Sequence, residues 1–584
     1  MVLYSLLIIL SIAMTILTIK LPFSKLSPWI IVIVTLMSAI SIYLFSAPNA
    51  AILSVGYFWH GVIVVADIAL LLYFFKEGRT YGSKRVWMLA LLQLGLLLYA
   101  KSVSSSGGVD FVLNELSAFM AVVISVVGGL IVIFSLWYID KEKIDEGRKK
   151  SFIVMLSLFL AVMFAIVIAN GLFIFFLLFE LTTLASYLLI AFRQDELSRT
   201  NALRALWMNQ IGGVFILVAI LVGNSSGVGP YFSEVISSAA LLSAALIAMA
   251  ALVKGAQIPF DGWLLGAMVA PTPVSAILHS ATMVKIAPFV VLKLSPLLAH
   301  TIVADILIVF GSLVFVIAGI YGLAREKFKE ILGYSTISLL GLMIAVAVGV
   351  GDGDPGLIYA LIFFHALSKA LLFLLAGILE KNHHIKEVSQ MDGLIYRAPL
   401  SAMMVIVGFA TITLPPFGLF FGKLFSIEMA AMNLAKSPAY LVLLIALAIG
   451  SALLVLLYFK VASSLFTKRA DVEAYGRESW FNFGFFSPFI FTLVLIFSFI
   501  FLVDFGFTLS MTYVWLSLGL IVLVPLWVKL SSFKGIDRVS EYHCGEVARF
   551  EVAQWSYGLS SKLQNRIAWA GVAGFGFILL GGLL

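Results

Sequence analysis

Charge is scarce in this chain. Asp, Glu, Lys and Arg together make 11% of its 584 residues, where a soluble domain typically carries about 25%. Cysteine is scarcer still: Cys544 stands alone, which excludes an intrachain disulfide and any iron–sulfur cluster ligated by this chain by itself. The sequence has no Walker A or dinucleotide glycine fingerprint, so nothing in it points to nucleotide-driven transport. No metal site is expected. His383 and His384 are adjacent, a poor ligand geometry, and His543, Cys544 and Glu546 in EYHCGE (541–546) are close neighbours in a loop. Long polar segments are missing too, so no soluble domain of any size is expected. The longest polar stretch, about 529–560, is either an amphipathic connector along a membrane surface or a plain loop. The formal charge of +7 is spread over short loops and makes no nucleic-acid-binding patch.

What is present is apolar sequence, 62% of the chain, in runs that follow one another from Leu3 to Leu583. Runs of about 17–25 apolar residues fit the hydrocarbon thickness of a bilayer when helical. Helices are chosen over a barrel because no period-two alternation is visible. About eighteen spans are expected, near 2–19, 28–46, 57–75, 86–100, 115–138, 152–168, 170–191, 203–222, 238–258, 270–293, 303–323, 331–349, 356–378, 400–430, 438–464, 484–503, 508–528 and 566–583. The span 400–430 is too long for one regular helix. Met1 to Thr18 lacks a charged leader and a clear cleavage site, and is expected to be a retained helix rather than a signal peptide. Basic clusters alternate with sparsely basic loops such as 47–56, 223–234 and 350–355. By the positive-inside rule the basic loops face the cytoplasm and both termini face outward.

Several ionisable residues cannot be assigned to loops. Glu180 lies within GLFIFFLLFELTTLASYLLI, Lys254 ends LLSAALIAMAALVK, and His279 and Lys285 lie in PTPVSAILHSATMVKIAPFVVL. His365 and Lys369, four apart and so on one helical face, lie in LIYALIFFHALSKALLFLLAG, and Lys423 follows TLPPFGLFFG. A charge at mid-bilayer costs roughly 2.5–3.5 kcal/mol even on the lenient insertion scale, so each should face protein or water. Glu180, the one acidic residue of the set, should neutralise a lysine from another helix. The other lysines lack acidic partners, and desolvation with mutual repulsion leaves such groups poised between charged and neutral. That is the physical requirement for a proton relay, and histidine suits the same work. A single lysine of this kind could be a snorkelling or packing residue and a single histidine a packing residue. Five or more in successive spans are hard to explain structurally. Arg204 and Lys293 are assigned to interfaces.

Two spans carry helix breakers at membrane depth: VKGAQIPFDGW, with Gly255 and Pro259, and TITLPPFGLFFGK, with Pro415, Pro416 and Gly418. Proline removes a backbone donor and clashes with the preceding turn. Such breaks survive where protein or water satisfies the freed groups, and paired interrupted helices point to repeats with an ion site near the midplane. The expectation is two inverted five-helix units, about 152–293 and 303–464, the alternative being two unrelated kinks. The organisation expected is 1–110 for N-terminal helices including extra ones, 111–465 for the core, and 466–584 for C-terminal helices with a cytoplasmic connector.

The segment GAQIPFDGWLLGAMVAPTPVSAILHSATMVKIAPFVVLKL resembles the most distinctive stretch of the antiporter-like subunits of respiratory complex I. Those subunits share it with Mrp-type sodium/proton antiporters and membrane-bound hydrogenases. NELSAFMAVVISVVGGLIVIFSLWYI, FELTTLASYLLIAF, FFHALSKALLFLLAG and LPPFGLFFGKLFSIE look like the same family, in the expected order over about 110–465. Asp261 stands where the family commonly has histidine and Leu265 where it has proline. The EYHCGE tail looks like tails of hydrogenase-associated members, formate hydrogenlyase types included. The resemblance implies a fourteen-helix core with a broken helix in each repeat. It implies a Glu180–Lys254 pair as an inlet half-channel, Lys285 and His279 as a bridge, His365 and Lys369 as the next links, and Lys423 as the outer lysine. It also implies a non-catalytic, proton- or sodium-translocating subunit of a redox complex in a prokaryotic plasma membrane. Cofactors such as iron–sulfur clusters, a nickel–iron centre or flavin would sit on partner subunits and none on this chain. The second reading is a subunit of an Mrp-type sodium/proton antiporter, and the third an independent solute carrier.

Overall fold

The computed structural model describes residues 51–104, 107–351, 353–415, 417–466, 483–497 and 560–583. Its helices in chain order are α1 (Tyr57–Thr80), α2 (Lys84–Val103), α3 (Glu115–Asp140), α4 (Glu146–Ile168), α5 (Leu172–Ile190) and α6 (Glu196–Ser225). After them come α7 (Leu241–Lys254), α8 (Thr272–Ser280), α9 (Ile286–Leu298), α10 (Ile302–Leu323), α11 (Phe328–Val350) and α12 (Gly356–His383). The last are α13 (Pro399–Thr413), α14 (Gly418–Asn433), α15 (Ala439–Phe466), α16 (Phe483–Ile496) and α17 (Ser561–Leu583). Among the described residues the strands that form a sheet are a three-residue antiparallel pair, β1 (Ala51–Leu53) and β2 (Phe111–Leu113), which ties the start of α1 to the start of α3.

Every expected span on described residues coincides with a helix or helix pair, including 86–100, which is the α2 helix. The spans 2–19, 28–46 and 508–528, and the end of 484–503, lie outside the described residues. Thirteen helical segments among the described residues are long and apolar enough to cross a membrane, counting α8–α9 and α13–α14 as one segment each. This is an all-α, multi-pass membrane protein.

Local chemistry sets the helix starts. The side chains of Asn114, Asp145, Asp195 and Thr301 accept from the backbone N–H groups of Ser117, Arg148, Ser198 and Ala304, satisfying donors that a helix start leaves orphaned. Burial then separates centre from rim. The apolar windows of α8–α9 and α11 are completely buried, whereas those of α1, α2 and α17 are 22% to 28% buried. Rim residues such as Val65, Leu72, Leu91, Trp569 and Phe577 are exposed, as expected of surface that lipid or another helix covers.

The two expected breaks are present. After Lys254 the chain leaves the helix, passes Pro259 and resumes as a short helix, Gly262–Gly266. The Trp263 indole donates to the Val253 carbonyl at 3.0 Å and Gln257 Nε2 to the Gly255 carbonyl at 3.0 Å, so protein groups meet the backbone that the break frees. The second break separates α13 from α14 at Leu414–Phe417 and contains Pro415; Pro416 lies outside the described residues. The break falls in the fourth span of α4–α9 and in the fourth span of α10–α15.

One span expected to be continuous is not. The 270–293 segment divides into α8 and α9, joined by a tight turn at Met283–Lys285. Ser280 and Thr282 turn their hydroxyls back onto the carbonyls of Ala276 and Ile277, a local competition that bends helices. Pro288 removes the donor that the carbonyl of residue 284 would use. Both signals stand in HSATMVKIAP.

The C-terminal helix α17 covers the first break. A Cβ on Gly571 would sit 2.8 Å from the Ile258 carbonyl oxygen, so only glycine permits this approach. Phe575 packs edge-on against Phe260 and Phe310, with ring centroids 5.1 and 5.7 Å apart.

Candidate functional site

Glu180 is fully buried on α5. Its Oε1 accepts from Gln93 Nε2 of α2 at 2.7 Å, and the same amide donates to the Gln210 carbonyl of α6 at 2.8 Å. The approach depends on Gly213, where a Cβ would fall 2.0 Å from Glu180 Oε1 and 2.3 Å from Gln93 Nε2.

Lys254 and Glu180 are electrostatic neighbours, as the resemblance implied, but the two are not in direct hydrogen-bond contact. The Lys254 ammonium donates to Thr183 Oγ1 at 2.8 Å and to the Phe179 carbonyl at 3.0 Å, one turn and one residue away from Glu180. It also lies 3.8 Å from the centroid of the Phe179 ring. The Thr183 hydroxyl in turn donates to the Phe179 carbonyl at 3.1 Å. The physical reason that acid and base do not touch is that Lys254 ends α7, where its side chain reaches down α5, while Gln93 already holds one oxygen of Glu180.

The chain bends directly after Lys254, and Gly255 approaches Ala287 closely, two residues from Lys285. There Lys285 Nζ lies 2.5 Å from His365 Nδ1 and 3.8 Å from Met343 Sδ. Lys369, one turn further along α12, donates to Ser335 Oγ and to the Leu332 carbonyl at 3.4 Å. His279 stacks on Phe373 at 4.6 Å with both ring nitrogens unpartnered in the cluster, and it is in electrostatic reach of Lys369. His365 Nε2 is unpartnered too. His279, Lys285, His365 and Lys369 are thus one fully buried group, built where the unforeseen bend between α8 and α9 faces α11 and α12.

Lys423 is buried on α14, which packs on α12, but among the described residues no hydrogen bond joins it to that group. A cavity of about 690 Å³ opens at the far end of α14, lined by Asp305, Asp354, Glu428 and Lys436. Asp261 precedes the short helix at the first break, within electrostatic reach of Arg325. Lys293, assigned to an interface from the sequence, donates to the Ala169 carbonyl at 2.8 Å and lies over the Phe232 ring.

Sequence reasoning missed Asp67, Gln93, Thr183 and Ser335. Asp67 is a second membrane acid, contrary to the reading of Glu180 as the one acid: it is fully buried on α1, and both of its oxygens lack a hydrogen-bond partner. Its signal was available, since VIVVADIALLL is as apolar as the run around Glu180. Gln93, Thr183 and Ser335 are uncharged and gave none.

The fold and the site together define a class: a polytopic helical membrane protein with interrupted helices, whose interior lysines are held by hydroxyls, carbonyls and imidazole. Residues 169–462, half of the chain, match the family described as "NADH:quinone oxidoreductase/Mrp antiporter, TM", and residues 103–150 match "NADH-Ubiquinone oxidoreductase (complex I), chain 5 N-terminus". The chain belongs to this antiporter-like family of complex I and Mrp subunits.

Among its relatives, a Na(+)/H(+) antiporter subunit of Alkalihalophilus pseudofirmus is 31% identical over 409 residues, 61% of this chain and 50% of that one. NADH-ubiquinone oxidoreductase chain 5 of Branchiostoma lanceolatum is 32% identical over 361 residues, 59% and 58% of the two chains. The matched part therefore spans about half of these relatives' length. A chain of the membrane-bound sulfane sulfur reductase, an archaeal respiratory membrane complex, has the same fold. Its TM-score is 0.59 at 19% identity, covering 76% of this chain and 96% of that chain.

Proposed function

We propose that this chain is the cation-translocating, antiporter-like subunit of a membrane-bound redox complex of the complex I or group 4 hydrogenase kind, formate hydrogenlyase types included. It carries no chemistry beyond cation transfer, and its partners carry the electron-transfer groups: iron–sulfur clusters, a nickel–iron centre or flavin. The observation that carries this reading is the succession of buried groups: Glu180 beside Lys254–Thr183, then Lys285–His365, then Lys369–Ser335. Each lysine is held by neutral acceptors, so it can gain or lose a proton without breaking a fixed ion pair.

In this scheme a proton passes from the Glu180 end through Lys254 to the Lys285–His365 pair, on to Lys369 and then to Lys423. The break after Lys254 and the bend before Lys285 are the elements that can hold two arrangements, as coupling requires. Lys423 needs a hydration change or a helix movement to join, because no direct contact links it to Lys369. We place the protein in a prokaryotic plasma membrane with its basic loops toward the cytoplasm and both termini outward.

The second reading, a subunit of an Mrp-type sodium/proton antiporter, is favoured by the similarity to the Alkalihalophilus pseudofirmus antiporter protein. Purification from native membranes with identification of the bound subunits separates the two. Redox subunits in the isolate support the first. Their absence, with sodium/proton antiport retained, overturns it in favour of the second.

A further inference from the structure

Gln93 lies on α2, ahead of both segments that match the family, yet its amide meets the buried acid of α5. Both N–H bonds of that amide are spent, one on Glu180 Oε1 at 2.7 Å and one on the Gln210 carbonyl of α6 at 2.8 Å. The amide can face only this way. Turned over, it would set its own oxygen against two acceptors, a carboxylate and a peptide carbonyl, and amide orientation follows the partners. Space for the contact is cut into α6 by two adjacent glycines. A Cβ on Gly213 would fall 2.0 Å from Glu180 Oε1 and 2.3 Å from Gln93 Nε2, and one on Gly212 would fall 2.7 Å from the Phe179 ring. Gln93, Glu180 and Lys254 are all fully buried.

Glu180 also has a competing partner. Lys254 and Glu180 act on each other's charge, and Glu180 Oε2 has no hydrogen-bond partner. Lys254 meanwhile rests on the Phe179 carbonyl and the Thr183 hydroxyl, on either side of Glu180 along α5, which take two of the three N–H bonds of an ammonium. Acid and base are thus held apart by separate neutral groups, although Glu180 keeps one oxygen free. The other carboxyl in reach of Glu180 is Asp67, which offers no attraction. Without the amide, the Glu180 carboxylate would have one strong attractor, Lys254. A buried ion pair, once closed, is costly to break, because each charge is left uncompensated.

We propose that Gln93 is a positioning residue that holds Glu180 off Lys254, so that the lysine stays on neutral acceptors and remains able to pass its proton toward Lys285. The inference deepens the translocation reading above and rests on it. The acid keeps its charge near Lys254 without closing on it. The carboxylate favours the arrival of a proton at the amine, and the amide of Gln93 prevents the pair from trapping that proton. Gln93 acts through Glu180, with no atom of its own on the proton's path.

The test uses the assembled complex in native-membrane vesicles, with two readouts. Proton movement is followed with a pH-sensitive dye. Contact between Glu180 and Lys254 is followed with dicyclohexylcarbodiimide, an apolar reagent that condenses a carboxyl with an amine touching it, the cross-linked peptide being quantified by mass spectrometry. Gln93→Met keeps the length of the side chain and removes the donor. It should slow proton movement by about tenfold, the lower end of what one hydrogen bond to a charged group is worth, and raise the cross-link several-fold. A residue that only filled space would be replaced by methionine with neither readout moving, and that result overturns the proposal. Slower movement without a gain in cross-link overturns it as well, because Gln93 would then act by something other than position. So does a parental complex that already gives the cross-link in high yield, a measurement that needs no variant. Glu180→Gln is the control for the underlying reading. Proton movement at the parental rate in Glu180→Gln removes the path and the role of Gln93 with it. An inactive Glu180→Gln beside an unaffected Gln93→Met overturns the role of Gln93 and leaves translocation standing.

Discussion

Two sets of lysines in this protein are chemically identical and physically opposite. On the face that carries the basic loops, Lys329 meets Glu380 at 2.6 Å, Lys381 meets Glu142 at 2.8 Å and Lys460 meets Glu326 at 3.2 Å. In the interior, Lys254, Lys285 and Lys369 are fully buried and rest on carbonyls, hydroxyls, a thioether and an imidazole. A carboxylate partner fixes an ammonium as charged, because removing the proton would leave an unpaired acid. Neutral acceptors bind the ammonium while leaving the amine state accessible. In the proposed scheme the outer set secures the fold and the inner set changes state.

That contrast can be attacked in order of expected effect. Lys254→Ala and Glu180→Gln should abolish proton movement while the complex still assembles, as judged by co-purification and a dye assay in vesicles. Full movement in an assembled Lys254→Ala complex would take that residue off the path. Met343→Glu would turn an interior lysine into the paired kind by placing a carboxylate beside Lys285. Flux should fall about tenfold or more, the effect of ~1.4 kcal/mol on a barrier, with assembly unchanged. A faster Met343→Glu complex would refute the argument from neutral acceptors.

Gly571→Leu is milder. It forces α17 away from the Ile258 carbonyl, so the first break should become more accessible to hydrogen exchange and flux should drop by a few fold. On the basic-loop face, Lys381→Ala should leave flux at the parental rate and cost at most about 1 kcal/mol of stability, the scale of a partly exposed ion pair.

Smallest is Asp195→Ala, which removes a helix cap worth ~1 kcal/mol and should lower the unfolding temperature slightly. The backbone amide of Ser198, donating at 2.6 Å, holds the Asp195 carboxyl below the usual carboxylate range. The cap is therefore complete above pH ~4, the ordinary value for an unfolded aspartate, and is lost as pH falls further. Thermal unfolding of parent and variant should converge at low pH.

Much of this protein was legible without coordinates. Long apolar runs set the helices, since backbone in lipid has no other partner. Pro259 and the Leu414–Phe417 segment marked breaks because proline cannot continue a helix. Glu180, Lys254, Lys285, His365 and Lys369 announced themselves as charges in apolar sequence. Asp67 obeyed the same rule and was passed over, so the sequence held more than was drawn from it.

Other features exist only in three dimensions. Spacing along one chain cannot say that Gln93, 87 residues before Glu180, takes the oxygen that a lysine would otherwise claim. It cannot say that Thr183 accepts from Lys254, or that Lys285 finds an imidazole from α12 rather than an acid. Hydropathy depends on each residue's own transfer cost, so the sequence by itself determined which segments span the membrane and which residues are too charged to be idle there. Partner choice depends on distances of a few ångströms between helices remote in sequence, and only their packing decided which acceptor each buried lysine meets.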